Sequence, residues 1–348
     1  MRKFDYTFLH DGLLPAELVN LTANIYEIKN TSNLRKKDFP KVFTELEKIA
    51  KIQSVKSSNA IEGIVTSDKR IEKIVNQNSA PINYNEAEIV GYRDALNSIH
   101  LEYENIEFTE RNIINLHNIL LSSANYEFAG RYKTENNLIL EIDADGERNV
   151  RFKPISATQT PKAMEQMCLA YTAAASDSNI NQLLLIPCVI LDFLCIHPFR
   201  DGNGRMSRLL SLLLLYKNEF DIGKYVSFEE QINKYKDSYY DALKQSSQGW
   251  ENGENSYIPF IRNFLSMLYM CYKELNKRFA VIDSKIITKT SRIEAVIFNS
   301  LIPVSKAEIS SMLLDVSPST VESVLGKLVK SGSVKKIGSG KNTKYIKK

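Results

Sequence analysis

His197-Pro198-Phe199-Arg200-Asp201-Gly202-Asn203-Gly204-Arg205-Met206-Ser207-Arg208 lies between two apolar runs, Gln182–Ile196 and 205–217, and its reading decides the fold. Gln182–Ile196 is almost entirely apolar, as expected of a helix passing through a core rather than along a surface. Pro198 and two glycines stop it. Gly202, Asn203 and Gly204 tolerate left-handed backbone, so successive N–H groups can turn inward as an anion nest. The next helix starts there and aims its positive end at the same spot. Arg205 and Arg208 stand i,i+3 on its first turn and share a face. Asp201 is a hard oxygen ligand beside the phosphate site, as Mg²⁺ requires. His197 is a base of near-neutral pKa at the rim. The bland alternative, a tight interhelical loop with surface arginines, leaves this concentration of reactive groups unexplained.

Outward from this loop, the chain reads as helix. Residues 43–58 place Phe43, Leu46, Ile49, Ala50, Ile52 and Val55 at helical spacing. Thr109 precedes a helix over 111–122 with Ile113, Leu116, Ile119 and Leu120 on one face, and Pro161 suits the first turn of a helix over 161–175. Segments 225–245 and 258–279 complete the helical body. One segment departs from this pattern: 136–143 and 149–152 are short alternating or β-branched runs around Asp145-Gly146, a hairpin signal. A lone hairpin on a helical body leaves strand edges open and needs a reason. The last sixty or so residues predict three short helices (292–301, 306–313 capped by Ser305, and 319–330 after Ser317-Pro318), then two strands, 334–337 and 343–346, around Gly338-Ser339-Gly340. That is winged helix-turn-helix order. The fold class is therefore all-α with one hairpin. It divides into an N-terminal helical region (1–100), a catalytic core (101–280) and a C-terminal winged helix (285–348), with the linker near 281–290.

Bulk properties narrow the class. With 348 residues, 43% apolar and 25% charged, the chain has the composition of a globular protein. Residues 285–348 carry 12 Lys+Arg against 4 Asp+Glu, so the net charge of +4 conceals a basic end on an acidic body. Cys168, Cys188, Cys195 and Cys271 have no metal-finger spacing and sit in apolar helical surroundings, as buried free thiols in a reducing cytoplasm would. The first twenty residues lack the pattern of a signal peptide. The longest apolar stretches, 183–196 and 209–216, are too short to span a bilayer. His10, His100 and His117 have no ligand-spaced companions and read as surface or packing histidines. Gly338-Ser339-Gly340-Lys341 is not a P-loop, because Lys335 stands where the first glycine is needed and Asn342 where Ser or Thr is needed.

The segment from His197 to Arg208 resembles the Fic family signature, HPF-x-(D/E)-GNGR-x-x-R, at every fixed position. The resemblance implies a helical core with a β-hairpin flap and transfer of AMP from ATP to a Ser, Thr or Tyr hydroxyl of a target protein. By that likeness His197 deprotonates the hydroxyl and Asp201 holds Mg²⁺. Gly202, Asn203 and Gly204, with Met206 and Ser207 following, cradle phosphate; Arg205 takes the β-phosphate and Arg208 the γ-phosphate. Phe199 packs the loop into the core. The flap would align the target by main-chain pairing. Gly130-Arg131-Tyr132-Lys133-Thr134 leads into it, and Asn137, Leu138, Ile139 and Leu140 form its nucleotide-side strand. Tyr239-Tyr240 matches a pair that lies against adenine, although helix packing explains the two rings equally well. Relatives often carry an Asn about two turns later, where this chain has Ser246 and Ser247.

Ser58-Asn59-Ala60-Ile61-Glu62-Gly63 matches the family's inhibitory motif, (S/T)-x-x-x-E-(G/N). From the residues alone, Ser58 and Glu62 share a helix face and Gly63 is a natural stop. A carboxylate at a helix C-terminus opposes the macrodipole and calls for a cation or solvent. The resemblance supplies Arg208 as that cation, so that the pair blocks the γ-phosphate. Rival expectations are a DNA-binding regulator whose Fic core is a sensor, removal of AMP instead of its addition, and transfer of UMP, phosphate or phosphocholine. In the 324–348 stretch, eight lysines and no acids suit phosphate contacts, whereas the absence of arginine suits protein docking. A homodimer is a further expectation from relatives.

Overall fold

The structure, a computed structural model, describes residues 2–11, 14–142, 148–283, 288–298, 300, 303–313, 316–340 and 343–348. The Asp145-Gly146 turn, Asp143, Leu301, Lys341 and Asn342 lie outside them. A short α1 (Phe8–Asp11) leads into α2 (Ala16–Asp38), α3 (Pro40–Ile61), α4 (Asp68–Gln77), α5 (Tyr84–Glu102) and α6 (Glu110–Ser122). The hairpin β1 (Ile139–Ile142) and β2 (Arg148–Phe152) follows, and then α7 (Thr160–Ala175), α8 (Gln182–Ile196) and α9 (Asn203–Lys217). The body closes with α10 (Phe228–Lys234), α11 (Lys236–Ser247) and α12 (Ile258–Asp283). The segment expected as one helix over 225–245 is two, interrupted at Tyr235, whose φ of −116° and ψ of 38° leave the helical region.

The predicted central helix is central. Every residue of α8 after Gln182 is buried. It packs against α7, α9 and α12. The one acid in this run, Asp192, is fully buried. It survives there because three donors satisfy it: Tyr6 Oη at 2.8 Å, Trp250 Nε1 at 2.6 Å and Tyr257 Oη at 2.8 Å. Burial still pushes its carboxyl above the ordinary range, against the pull of Arg2. The cluster ties the N-terminal segment and the loop around Trp250 to the helix that ends in His197. All four cysteines are buried free thiols.

The C-terminal region has its own apolar core, built on Ile293, Ile297, Ile309, Leu313, Val321 and Leu325. It comprises α13 (Lys289–Phe298), β3 (Val304–Ser305), α14 (Lys306–Met312), α15 (Pro318–Lys330), β4 (Val334–Ile337) and β5 (Lys344–Lys347). Ser305 and Glu308 form a reciprocal capping box on α14, and Ser317 caps α15 ahead of Pro318. The sheet is antiparallel in the order β3-β5-β4, one strand more than the sequence suggests, and the arrangement is compatible with a winged helix. No helix among the described residues is long and apolar enough to cross a membrane.

Candidate active site

His197 terminates α8 in the left-handed region, at φ +49°, with its backbone N–H still bonded to the Phe193 carbonyl at 2.9 Å. That conformation turns the chain out of the helix and exposes the ring to a cleft. The loop then closes on itself. Asn203 Oδ1 accepts from the Phe199 N–H at 3.0 Å, and its Nδ2 donates to the Phe199 carbonyl at 2.8 Å. Gly202, at φ +80°, opens α9, and the Met206 N–H returns to its carbonyl at 2.8 Å. Phe199 is fully buried and stacks on His117, with ring centroids 3.7 Å apart and planes 3° from parallel.

His117 is a packing histidine with a specific task. Its Nδ1 accepts from the Gly130 N–H at 3.0 Å, which leaves Nε2 as the donor to the Asp201 carbonyl at 3.1 Å. Burial pushes its pKa down to about 4, so the ring is neutral at pH 7, as this tautomer requires. Lys133 makes a second tie. Its N–H bonds the Pro198 carbonyl at 2.9 Å, and its Nζ donates to the Ile196 carbonyl at 3.0 Å and to Asn137 Oδ1 at 2.9 Å. Asn137 Nδ2 reaches the Phe199 carbonyl at 3.2 Å. The lead-in to the hairpin is thus laced to the His197 loop.

The cleft has a volume of about 210 Å³. His197 and Gly204 line it, with Tyr240, Leu243 and Ser247 from α11, Leu194 and Cys195 from α8, and Ile139, Arg151 and Phe152 from the hairpin. Glu62 lines it as well. Burial pushes the His197 pKa down to about 4, the Lys133 ammonium adds to this, and the Leu194 carbonyl with the Glu62 and Asp201 carboxylates pulls the other way. The ring is therefore neutral near pH 7 and able to accept a proton. Its Nδ1 has no hydrogen-bond partner among the described residues.

Glu62 follows α3 in a helix-ending turn. Gly63, at φ +78°, donates to the Ala60 carbonyl and Ile64 to the Asn59 carbonyl, each at 3.0 Å, which is the Schellman pattern. Arg208 Nη2 donates to Glu62 Oε1 at 2.7 Å and to the Ser58 carbonyl at 2.9 Å, and its Nε donates to Ser58 Oγ at 2.8 Å. Burial alone would push the Glu62 carboxyl up. Arg208, with Arg205 and Lys236 behind it, outweighs this and holds it below the ordinary range. Lys236 Nζ donates to the Ile61 carbonyl at 2.8 Å. The carboxylate lies so close over Gly204 that any Cβ there would collide with it. An anion is accordingly seated at the N-terminus of α9, where backbone N–H groups favour negative charge.

The structure distributes the other expected site residues unevenly. Arg205 is 1% exposed and paired with Glu88, with Asp201 Oδ2 farther off at 3.8 Å. Arg208 is 2% exposed. Met206 and Ser207 are buried, and Ser207 Oγ bonds the Gly204 carbonyl at 2.7 Å. The Asp201 side chain is 52% exposed. Of Asn137, Leu138, Ile139 and Leu140, only Ile139 lines the cleft; Leu138 and Leu140 face outward. Tyr239 is buried against Phe260, whereas Tyr240 faces the cleft, so the pair divides between packing and lining. Ser246 Oγ accepts from the Phe260 N–H at 3.0 Å, and Ser247 faces the cleft. Sequence reasoning passed over Glu88, Arg151 and Lys236. Glu88 had a legible signal, an acid flanked by Ala87, Ile89 and Val90; the other two depend on tertiary placement.

Residues 107–215 match the Fic/DOC family profile. A Fido domain-containing protein of Dictyostelium discoideum is 34% identical over 123 residues, which span 31% of this chain and 82% of that protein. The chain belongs to the Fic/DOC family. Its fold also resembles solved Fic structures. A Fic family protein from Desulfovibrio desulfuricans G20 superposes with a TM-score of 0.61 at 19% identity, covering 97% of both chains. A Fic domain-containing signaling protein from Bacteroides thetaiotaomicron gives 0.60 at 19% identity over 75% of this chain and 97% of that one. Fic proteins are typically transferases that act on proteins. In this Fic chain the matched segment runs from α6, which carries His117, through the hairpin to α9, so the family region holds His197, the Gly202–Gly204 loop and both arginines.

Proposed function

We propose that this Fic protein transfers AMP from ATP to a Ser, Thr or Tyr hydroxyl of a target protein and is held inactive by Glu62. The observation that carries the reading is the convergence on one cleft of a neutral His197, Gly204 at the N-terminus of α9, and Glu62, which Arg208 holds in place. In the reaction, His197 takes the hydroxyl proton, the freed oxygen bonds to the α-phosphorus, and the bond to pyrophosphate breaks. The α9 N-terminus stabilises charge on the phosphate oxygens. Asp201 suits Mg²⁺: its carboxylate is exposed beside the nest, and a phosphate-borne Mg²⁺ needs only one or two protein carboxylates. When bound, the ion would neutralise charge between the α- and β-phosphates.

The brake follows from charge. The guanidinium of Arg208, the group suited to a γ-phosphate, is already spent on Glu62 and Ser58. Residues 1–100, 101–280 and 285–348 then act as regulatory, catalytic and docking units. The hairpin pairs with the target backbone, and the lysine-rich winged helix meets nucleic acid or a protein. The test is incubation with labelled ATP and Mg²⁺. Glu62→Gly should raise self-labelling at least tenfold, the scale of one lost charge-assisted contact, and His197→Ala should abolish it. A Glu62→Gly chain that binds ATP yet labels no faster than wild type sinks the brake.

A further inference from the structure

We propose that Arg151, presented by a β-bulge in the hairpin, is an additional nucleotide-contacting residue that clamps the bound nucleotide over Tyr240. This rests on the nucleotide reading of the cleft. In the hairpin, Ile139 pairs with Phe152 and Leu140 with Val150, so Arg151 is the extra residue between two consecutive pairs. A bulge re-aims a side chain at the cost of ladder hydrogen bonds. Without it, strict alternation would turn Arg151 and Phe152 to opposite faces. With it, both line the cleft, while Leu140 and Val150 are about half exposed on the outside.

The bulge is anchored. The Phe152 ring packs edge-on against the buried Trp250, with centroids 6.3 Å apart, and Trp250 is fixed by the buried Asp192. The position of Arg151 therefore derives from the core and not from the hairpin tip. Its guanidinium carbon lies 5.7 Å from the Tyr240 ring centroid, within cation–π range. Lys236 Nζ approaches the same ring at 5.9 Å. The Arg151 Nε is buried and has no hydrogen-bond partner among the described residues. A buried guanidinium N–H lacking an acceptor, on the wall of a cleft, fits a ligand with oxygen or nitrogen acceptors and negative charge. A nucleotide has both.

The test is calorimetric titration with ADP, which has no γ-phosphate and so does not compete with Glu62 for Arg208. Arg151→Met should weaken ADP binding roughly tenfold, the worth of one charge-assisted hydrogen bond, with Tm unchanged. Arg151→Lys, which keeps the charge and loses the fork, should fall between the two. Wild-type affinity in Arg151→Met, or a loss matched by a Tm drop of several degrees, overturns the assignment. Failure of the wild-type chain to bind ADP would overturn the nucleotide reading and this assignment with it.

Discussion

Arg205 is buried to 1% exposure and balanced chiefly by Glu88, with Asp201 Oδ2 3.8 Å away. Removing one partner of a buried pair leaves an uncompensated charge and costs about 3–5 kcal/mol. Glu88→Ala should therefore lower Tm by many degrees, whereas Glu88→Gln, which keeps an acceptor, should lower it less; thermal unfolding followed by circular dichroism distinguishes them. His117 offers a second case. His117→Phe keeps a ring against Phe199 but strands the Asp201 carbonyl and the Gly130 N–H. Each lost hydrogen bond of this partly buried kind costs about 0.5–1.5 kcal/mol. The variant should be clearly less stable and, combined with Glu62→Gly, should label more slowly than Glu62→Gly alone. At this scale the sequence was legible where chemistry is concentrated. His197 and the glycine nest announce themselves, and so does the carboxylate that needs a cation. Arg151 and Lys236 gave no such signal, because a bulge in one case and a helix break at Tyr235 in the other decide where those side chains go.

The proposed brake is one face of α3 and the turn that ends it. Ser54, Ser58, Ile61 and Glu62 recur at i, i+4, i+7 and i+8, and each is tied to the catalytic body. Ser54 Oγ bonds Glu229 Oε2 at 2.7 Å, and Tyr92 Oη bonds the other oxygen of that carboxylate at 2.9 Å. Ser58 and Glu62 accept from Arg208, and the Ile61 carbonyl accepts from Lys236. A brake built on several contacts should release in steps. Ser58→Ala removes one acceptor from Arg208 and should give self-labelling between wild type and Glu62→Gly; labelling equal to wild type in Ser58→Ala would confine the brake to the carboxylate. The apolar face of this helix was readable from Phe43, Leu46 and Ala50. Its polar stripe was readable only at Ser58 and Glu62, where a motif drew attention to it. The hairpin was likewise foreseen from alternation, but a bulge cannot be read from alternation because it is a break in that pattern.

Across the molecule, three histidines are held neutral by burial. The pKa is pushed down to about 3 at His100 and to about 4 at His117 and His197. The unfolded chain binds these protons near the free value of about 6.5. Stability from this source is complete above that value and is lost as pH falls through the interval down to about 4. Unfolding midpoints in denaturant should hold steady from pH 8 to 7 and fall between pH 6 and 4, and His100→Phe should flatten part of that fall. The basic C-terminal region and the acidic body were visible in the distribution of charge, and their separate apolar cores follow the same division. The packing that places α3 against α9 was not visible in periodicity or spacing, since 150 residues separate Ser58 from Arg208; only the resemblance of the Ser58–Gly63 stretch to the inhibitory motif pointed to the Glu62–Arg208 pair. That contact is the centre of the functional reading, and intact-mass spectrometry after incubation with ATP and Mg²⁺ tests it most directly. Gating of His197 by Glu62 predicts an added adenylyl mass on Glu62→Gly, little on wild type and none on Glu62→Gly combined with His197→Ala. A different added mass, equal modification of wild type and Glu62→Gly, or modification that persists without His197 would contradict it.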